Sequence, residues 1–261
     1  MGTLRHGRAH DYAHLIRRWR GLARRARLKI VNFAEAGGYE LFYLENRIPP
    51  AADSAPALCF SAGIHGDEVG ATEGLLEWAE KHEALLANLK VVIFPCLNPW
   101  GIVNNNRLDA EGRDLNRDFR LGRIPQVAAQ MRVLAGRRFD LALTLHEDYD
   151  AQGMYLYEVV SRKPYWGEML LEAEKQIPPD PRGRIEGRVA RAGVMRAKIT
   201  PDSMSDWPEA IFLHFQHAER TFTLESPSEF SLDHRAAALR KMISRAVALC
   251  REEVRARATS I

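Results

Sequence analysis

The chain has 261 residues, of which 46% are hydrophobic and 27% are charged. This composition supplies enough apolar side chains for a large buried core, so a disordered protein is excluded. The formal net charge is only +3, which does not favour binding to nucleic acid. The three cysteines, Cys59, Cys96 and Cys250, are far apart and form no CxxC pair. Neither a disulfide framework nor a cysteine zinc site is therefore expected.

The amino-terminal segment, residues 1–28, contains no apolar run long enough for a signal peptide, and no later stretch has the length to cross a bilayer. We therefore expect a cytoplasmic protein that binds no membrane. Within this segment, residues 10–25 are predicted to form a helix with its arginines on one face, either solvated or facing an acidic partner. Its opposite face carries apolar side chains at helical spacing: Tyr12, Leu15, Ile16, Trp19, Leu22 and Ala23.

Short apolar runs alternate with helical stretches along most of the chain. This alternation predicts one α/β domain over residues 1–261, with a mixed, mostly parallel central sheet and helices on both faces. The stretch Pro178–Gly187 is predicted to be a surface loop. The predicted helices after the first lie from about residue 68 to 81, from about Pro125, and over Ser231–Val254. The predicted strands are Leu28–Phe33 and Tyr39–Leu44, joined by a turn at Gly37-Gly38, then Ala57–Ala62, Lys90–Pro95, Phe139–Leu145, Met154–Val160 and Thr221–Leu224.

Two histidines and a glutamate follow predicted strands. His65 and Glu68 lie in the segment His65-Gly66-Asp67-Glu68 after the strand Ala57–Ala62, and His146 follows Phe139–Leu145. Each motif alone is weak, since a lone histidine is more often structural than a metal ligand. Ligands of α/β sheets gather at the carboxyl ends of the strands, where all three side chains are expected. Together they form a two-histidine, one-carboxylate set typical of catalytic zinc.

A polar stretch follows the strand Lys90–Pro95 and contains Arg107, Asp114, Asn116 and Arg117. Its arginines and asparagine supply hydrogen-bond donors that suit carboxylates and oxyanions. An exposed surface turn is the alternative explanation.

Another carboxylate, Glu225, closes the strand Thr221–Leu224. If it faces the metal, it can act as the general base. Glu147, directly after His146, competes for this role, but strand alternation would turn it away from the metal if His146 points inward.

These four segments, in this order, resemble the zinc carboxypeptidase family of the carboxypeptidase A type over essentially the whole chain. In its length the chain resembles the compact bacterial branch of this family, which includes murein peptide amidases. The resemblance implies a phosphorylase/hydrolase-like fold and one zinc ion per chain. It assigns roles to eight residues: His65, Glu68 and His146 as zinc ligands, Asp114 as the partner of the His65 ring, Arg107 as oxyanion donor, Asn116 and Arg117 as the grip on the substrate carboxylate, and Glu225 as general base.

The activity implied is hydrolysis of an amide bond next to a free carboxy-terminal carboxylate, by metal-activated water, in a peptide or small amide. Two features depart from the family pattern. The stretch Lys198–Phe212 has no tyrosine, where the digestive members carry one that closes over the substrate. Trp100 stands where the family usually has aspartate.

Other functions remain open. An N-acyl amino acid deacylase of the aspartoacylase and succinylglutamate desuccinylase type shares the HxxE, DxNR and distant-histidine pattern. A non-catalytic module that binds peptides in the zinc pocket and a basic interaction protein are further alternatives. The side-chain pocket is expected between His146 and Glu225, but the sequence does not fix its charge or the oligomeric state. Its candidate lining residues are Arg191, Arg196 and Lys198 for an acidic group and Asp202 or Asp206 for a basic one.

Overall fold

The computed structural model describes residues 8–47, 55–160 and 162–259. Residues 1–7, part of the segment in which no signal peptide was found, lie outside these ranges. The helices are α1 Tyr12–Arg25, α2 Val69–Lys81, α3 Glu83–Leu86, α4 Pro99–Asn104, α5 Pro125–Leu134, α6 Gly167–Leu171, α7 Glu209–Gln216 and α8 Leu232–Thr259, with 3₁₀ turns at Leu115–Arg117 and Pro201–Ser203. The strands are β1 Leu28–Ala36, β2 Tyr39–Asn46, β3 Ala57–Ser61, β4 Lys90–Phe94, β5 Phe139–Asp148, β6 Tyr155–Val159, β7 Arg184–Ile185, β8 Arg188–Val189, β9 Val194–Ala197 and β10 Ala218–Pro227.

Eight of these strands form one sheet in the order β1-β2-β4-β3-β5-β10-β6-β9. The four central strands, β4, β3, β5 and β10, are parallel. The hairpin β1–β2 joins one edge in antiparallel fashion. On the other side β6 is antiparallel to β10, and β9 is parallel to β6. The prediction of a mixed, mostly parallel sheet is confirmed.

Alternating side chains of the central strands enter two separate hydrophobic clusters. Leu58 and Phe60 of β3 pack with Trp19 of α1 and Leu239 of α8, whereas Cys59 lies on the other face in the cluster that contains Phe212 of α7. Because successive side chains of a strand point to opposite faces, this division shows helices covering both sides of the sheet. Burial on both faces explains why these strands are continuous apolar runs.

Two of the four central strands, β5 and β10, extend beyond their predicted ends. β3 stops at Ser61, which is paired with Thr144. β5 and β10, however, remain paired with each other as far as Asp148 and Pro227. The predicted ends at residues 145 and 224 are therefore wrong: His146 and Glu225 lie inside the strands, on a part of the sheet that β3 no longer covers.

Several short elements were not predicted from the sequence. The predicted loop Pro178–Gly187 contains β7, which pairs with β8 to form a small hairpin. Two-residue strands give no recognisable apolar period, which is why the sequence pattern missed them.

Trp100 packs against the β1–β2 turn, where a Cβ at Gly37 would lie 2.7 Å from the Trp100 Cβ. Within the described part of the chain, no helix is both long and apolar enough to span a membrane.

Candidate active site

The segment between β3 and α2 carries His65 and Glu68. It turns sharply at Gly63, whose φ of +63° suits glycine. Gly66 touches the α4 segment so closely that a Cβ there would lie 2.0 Å from the carbonyl carbon of Gly101. The turn therefore depends on these two glycines, and it places the side chains of His65 and Glu68 in the interior, only 3% and 4% exposed.

The three predicted metal ligands converge. His65 Nδ1 lies 2.6 Å from Glu68 Oε1, and His146 Nδ1 lies 2.9 Å from Glu68 Oε2. One potential ligand atom from each residue falls within a common span of 4.8 Å. Two imidazole nitrogens and a carboxylate that meet in a buried position fit the three protein ligands of a catalytic zinc ion, which leaves a fourth position for water or substrate.

The charges of these groups are strongly linked. Burial raises the pKa of Glu68, but the two adjacent histidines outweigh burial and lower this pKa to about 2. Burial lowers the pKa of His65, but Glu68 and Asp114 outweigh it and raise the pKa to about 9. Each group is thus stabilised in its charged form by its neighbours. A divalent cation would take the place of the protons, because ligands bind metals in their deprotonated forms.

Asp114 connects the candidate metal centre with Arg107 and Asn116 of the polar stretch that follows β4. Its Oδ1 accepts hydrogen bonds from His65 Nε2, at 3.3 Å, and from the main-chain N–H of Asn116, at 2.9 Å. Its Oδ2 accepts a bond of 3.2 Å from Arg107 Nη2. Burial raises the pKa of Asp114, but His65 and Arg107 outweigh burial and hold it well below its ordinary value. Because Asp114 binds Nε2, Nδ1 of His65 is left to face the metal position.

Arg107, Asn116 and Arg117 line the same cleft as the three ligands. The amide of Asn98 donates to the carbonyl oxygens of Arg107 and Leu108, at 3.3 and 3.0 Å, and so holds the loop that carries Arg107. Arg107 Nη1 lies 3.5 Å from Glu68 Oε1. Arg117 Nη1 donates to the carbonyl oxygen of Asn116 at 2.8 Å. Two guanidinium groups and a carboxamide thus face a space next to the metal position.

Glu225 is the register partner of His146 in the parallel pair β5–β10. It lines the cleft and is 9% exposed. Burial raises its pKa well above the ordinary value, and the nearby Glu68 adds to this effect while His146 opposes it. A raised pKa suits a carboxylate that must accept a proton during a reaction.

Glu147 lies on the opposite face of β5, as strand alternation predicts. It accepts hydrogen bonds from the main-chain N–H of Gly70, at 2.9 Å, the hydroxyl of Ser226, at 3.1 Å, and Arg235 Nη1, at 2.7 Å. Burial raises its pKa to about 7, although Arg235 opposes the shift. These contacts of its carboxylate join the sheet to α2 and α8. The residue also lines the cleft, and its main-chain N–H donates to Glu68 Oε2 at 3.2 Å.

The cleft has a volume of about 640 Å³. All the predicted ligand, oxyanion, carboxylate and base residues line it, whereas Asp114 lies behind them. Of the candidate specificity residues, Asp206 lines the cleft, and Arg191, Lys198 and Asp202 do not. Arg196 does not line it either and is bound to Glu158 and Glu168. Apolar residues form one part of the remaining lining: Val159, Ala197, Ile199, Ala210 and Ile211. Acidic residues form another: Asp67, Asp148, Asp150, Glu158 and Glu186.

Two tyrosines of β6 also line the cleft and were not identified from the sequence. Tyr155 is the register partner of Glu225 and Tyr157 of Thr223. The Tyr155 hydroxyl donates to Asp148 at 2.9 Å, and the Tyr157 hydroxyl donates to Glu186 at the tip of the β7–β8 hairpin. The period of two in Tyr155-Leu156-Tyr157 indicates that the two rings share a face. Only the pairing of β6 with β10 shows that this face is the one that carries Glu225.

The comparisons with known proteins agree with this geometry. The succinylglutamate desuccinylase/aspartoacylase catalytic domain model matches residues 54–171. No curated protein matches the sequence significantly. The structure of a "putative metallopeptidase" from Shewanella amazonensis SB2B superposes with a TM-score of 0.79 and 24% identity, over 92% of this chain and 94% of that one. A structure with the same description from Shewanella denitrificans OS217 superposes with a TM-score of 0.80 and 21% identity, over 93% of this chain and 91% of that one. The structure of a metallo-carboxypeptidase from Burkholderia cenocepacia superposes with a TM-score of 0.67 and 17% identity, over 91% of this chain and 68% of that one.

The fold is carboxypeptidase-like, and with the matched catalytic-domain model it supports a hydrolase of this superfamily with a metal site at His65, Glu68 and His146. The carboxypeptidase-like fold that the motif resemblance implies is therefore confirmed.

Proposed function

We propose that this protein is a zinc-dependent metallocarboxypeptidase that hydrolyses an amide bond next to a free carboxylate. The observation that supports the proposal is that one cleft contains three side chains that could hold a metal ion, a buried glutamate, and the hydrogen-bond donors Asn116 and Arg117. A hydrolase that required no carboxylate on its substrate would have no need for Asn116 and Arg117 beside the reacting groups.

His65, Glu68 and His146 would hold the zinc ion. When bound, zinc polarises the scissile carbonyl and lowers the pKa of water towards about 7. Glu225 then accepts the proton of the attacking water and delivers it to the leaving nitrogen. Arg107 donates hydrogen bonds to the oxyanion that develops on the carbonyl. No covalent bond between substrate and protein is required.

Asn116 and Arg117 fix the substrate by its carboxylate. A guanidinium binds a carboxylate by charge-assisted hydrogen bonds, and the carboxamide adds a neutral donor. The side chain of the leaving residue would then lie against the apolar lining, including Ile199 and Ile211, with Asp206 exposed at the rim. This arrangement favours an apolar leaving residue, or one whose aliphatic stem carries a basic end.

A second candidate function is hydrolysis of N-acyl amino acids. The match of residues 54–171 to the succinylglutamate desuccinylase/aspartoacylase catalytic domain favours it. Both reactions would use the same metal ligands, the same general base and the same residues for binding the carboxylate. They differ in the group that lies on the acyl side of the amide. The cleft of about 640 Å³ lies within the usual size range of small-molecule sites, which accommodates either substrate.

The test is product analysis by mass spectrometry. Zinc-loaded protein would be incubated with a panel of peptides, a murein tripeptide and N-acyl amino acids, with Glu225→Gln as the control variant. We expect release of a carboxy-terminal residue from a peptide or small amide, and no release by the variant. Release from N-acyl amino acids alone would assign the second function. No release at full zinc occupancy would overturn both and indicate a binding module.

A further inference from the structure

The main chain of α7 fixes the orientation of the Asn116 carboxamide. Asn116 Oδ1 accepts a hydrogen bond of 2.8 Å from the main-chain N–H of Glu209. A main-chain N–H can only donate, so the atom that faces it must be the oxygen of the carboxamide. Because Asn116 is buried on this side and lines the cleft on the other, its NH₂ group is directed towards the cleft as a donor.

The residue that supplies this N–H is anchored by its own side chain. Glu209 is the first residue of α7, and its carboxyl group is buried in the interior, with 1% of the residue exposed. Its Oε1 accepts a hydrogen bond of 2.5 Å from Gln130 Nε2. Gln130 belongs to α5 and is fully buried. The Glu209–Gln130 pair therefore ties the start of α7 to α5, directly behind the cleft.

The other end of Asn116 is connected to the metal site. Its main-chain N–H donates to Asp114 Oδ1, the same oxygen that accepts from His65 Nε2. A continuous series of hydrogen bonds thus runs from a metal ligand to the asparagine and on to α7. It sets the separation between the metal position and the carboxamide donor, which must match the separation between the scissile carbonyl and the carboxylate of a substrate.

We propose that Glu209 and Gln130 are positioning residues for recognition of the substrate carboxylate. This inference rests on the proposed function, because it assigns Asn116 to that carboxylate. Neither residue touches substrate or metal. Both act through the main-chain N–H of residue 209, which keeps the Asn116 donor aimed at the cleft. A buried pair of purely structural importance would affect the stability of the protein without selecting for a carboxylate.

The kinetic test compares three variants. Glu209→Ala and Gln130→Met each remove the side-chain bond, and Glu209→Gln retains an acceptor. We expect the first two to raise KM for a substrate with a free carboxylate about three- to tenfold, the equivalent of one hydrogen bond. Their kcat should stay within about twofold of the wild-type value because the ligands and Glu225 are untouched. Glu209→Gln should restore KM nearly to the wild-type value.

Two controls separate positioning from loss of stability. The matched substrate has a hydrogen atom in place of the carboxylate and so offers the Asn116 NH₂ group no acceptor there. The variants should not change its kcat/KM. The matched variant is Glu174→Ala. Glu174 has a fully buried carboxylate that accepts from the N–H groups of Gln176 and Ile177, and it does not line the cleft. Its loss should lower the melting temperature without raising KM.

A binding measurement makes the test independent of turnover. Succinate would be titrated calorimetrically into zinc-loaded Glu225→Gln protein, with and without Gln130→Met or Glu209→Ala. A rise in Kd of about three- to tenfold supports the positioning role even if no panel substrate is hydrolysed, so the two proposals can fail separately. Unchanged succinate affinity in both variants, a fall in kcat at constant KM, or the absence of succinate binding to the parent protein would overturn it.

Discussion

His146 and Glu225 lie side by side as register partners on the parallel strands β5 and β10. His146 lies two residues beyond Thr144, the partner of the last residue of β3. The geometry places a metal ligand and a buried carboxylate on neighbouring strands and on the same face of the sheet. His65 and Glu68 reach this point from the loop that follows β3. The end of one strand, together with the continuation of its two neighbours, thus creates the space in which the site forms.

The first prediction distinguishes the two candidates for the general base, Glu225 and Glu147. Glu225→Gln should lower kcat by about 10² to 10⁴, because it removes the general base, and zinc content should be unchanged. Glu147→Gln is the matched control. It weakens the buried ion pair with Arg235 and should lower the melting temperature while kcat changes little. Steady-state kinetics, metal analysis and thermal unfolding measure these effects. A larger loss of kcat in Glu147→Gln than in Glu225→Gln would contradict the assignment of the base.

The convergence of His65, Glu68 and His146 could be predicted from the sequence because the strand ends of a parallel sheet converge. The role of Asp114, which lies twenty residues after the end of β4, was predicted only through the family resemblance. The tyrosines of β6 could not be predicted in the same way. β6 follows β5 in the chain, yet β10, from some sixty residues later, lies between them in the sheet. Only this insertion brings Tyr155 next to Glu225. The Asn116–Glu209 bond likewise joins a 3₁₀ turn to the start of α7, a contact that depends on the packing of α5 and α7.

The second prediction concerns the partner of the His65 ring. Asp114→Asn should weaken zinc binding by about 10- to 100-fold, the usual effect of removing a carboxylate that orients a ligating histidine. Competition with a chromophoric chelator measures the affinity. Asp109→Asn is the matched control from the same loop, since Asp109 is buried and bound to Arg113 rather than to a ligand. Equal losses of affinity in the two variants would show that loop disruption, not orientation of His65, is responsible.

The third prediction concerns metal removal. A chelator should abolish hydrolysis and lower the melting temperature, because an ion that binds only the folded state stabilises it by mass action. Removal leaves the three ligands held by protein contacts alone, such as those of His65 with Asp114 and of Glu68 with Arg107. Zinc added back should restore both activity and melting temperature. Unchanged thermal unfolding after complete removal, verified by metal analysis, would show that these residues bind no ion tightly.

The fourth prediction concerns Arg117, which is proposed to bind the substrate carboxylate. Arg117→Ala should raise KM for a substrate with a free carboxylate about 10- to 150-fold, the equivalent of a charge-assisted hydrogen bond of about 1.5–3 kcal/mol. A carboxamide analogue should lose little, because it never used that charge. Arg113→Ala is the control: its guanidinium is bound to Asp109 and Glu111 and lies outside the cleft. Equal effects on the two substrates would remove Arg117 from carboxylate recognition.

The fifth prediction concerns the charge at the rim of the cleft. Asp206 lines the cleft, whereas Asp202 lies outside it and is paired with Arg120 at 3.4 Å. Asp206→Arg should therefore change the preference between basic and acidic leaving residues in favour of the acidic ones. The change in the ratio of kcat/KM values should be modest, up to about fivefold, because solvent screens an exposed charge.

Asp202→Arg provides the comparison, since it makes the same change of charge four residues away. It should leave the ratio of kcat/KM values nearly constant, because residue 202 does not contact the cleft. High salt should reduce the effect of Asp206→Arg, as expected for a screened interaction between exposed charges. If both variants shifted the ratio equally, the overall charge of the protein surface would be responsible. The leaving side chain would then be bound away from residue 206, deeper against the apolar lining that includes Ile199 and Ile211.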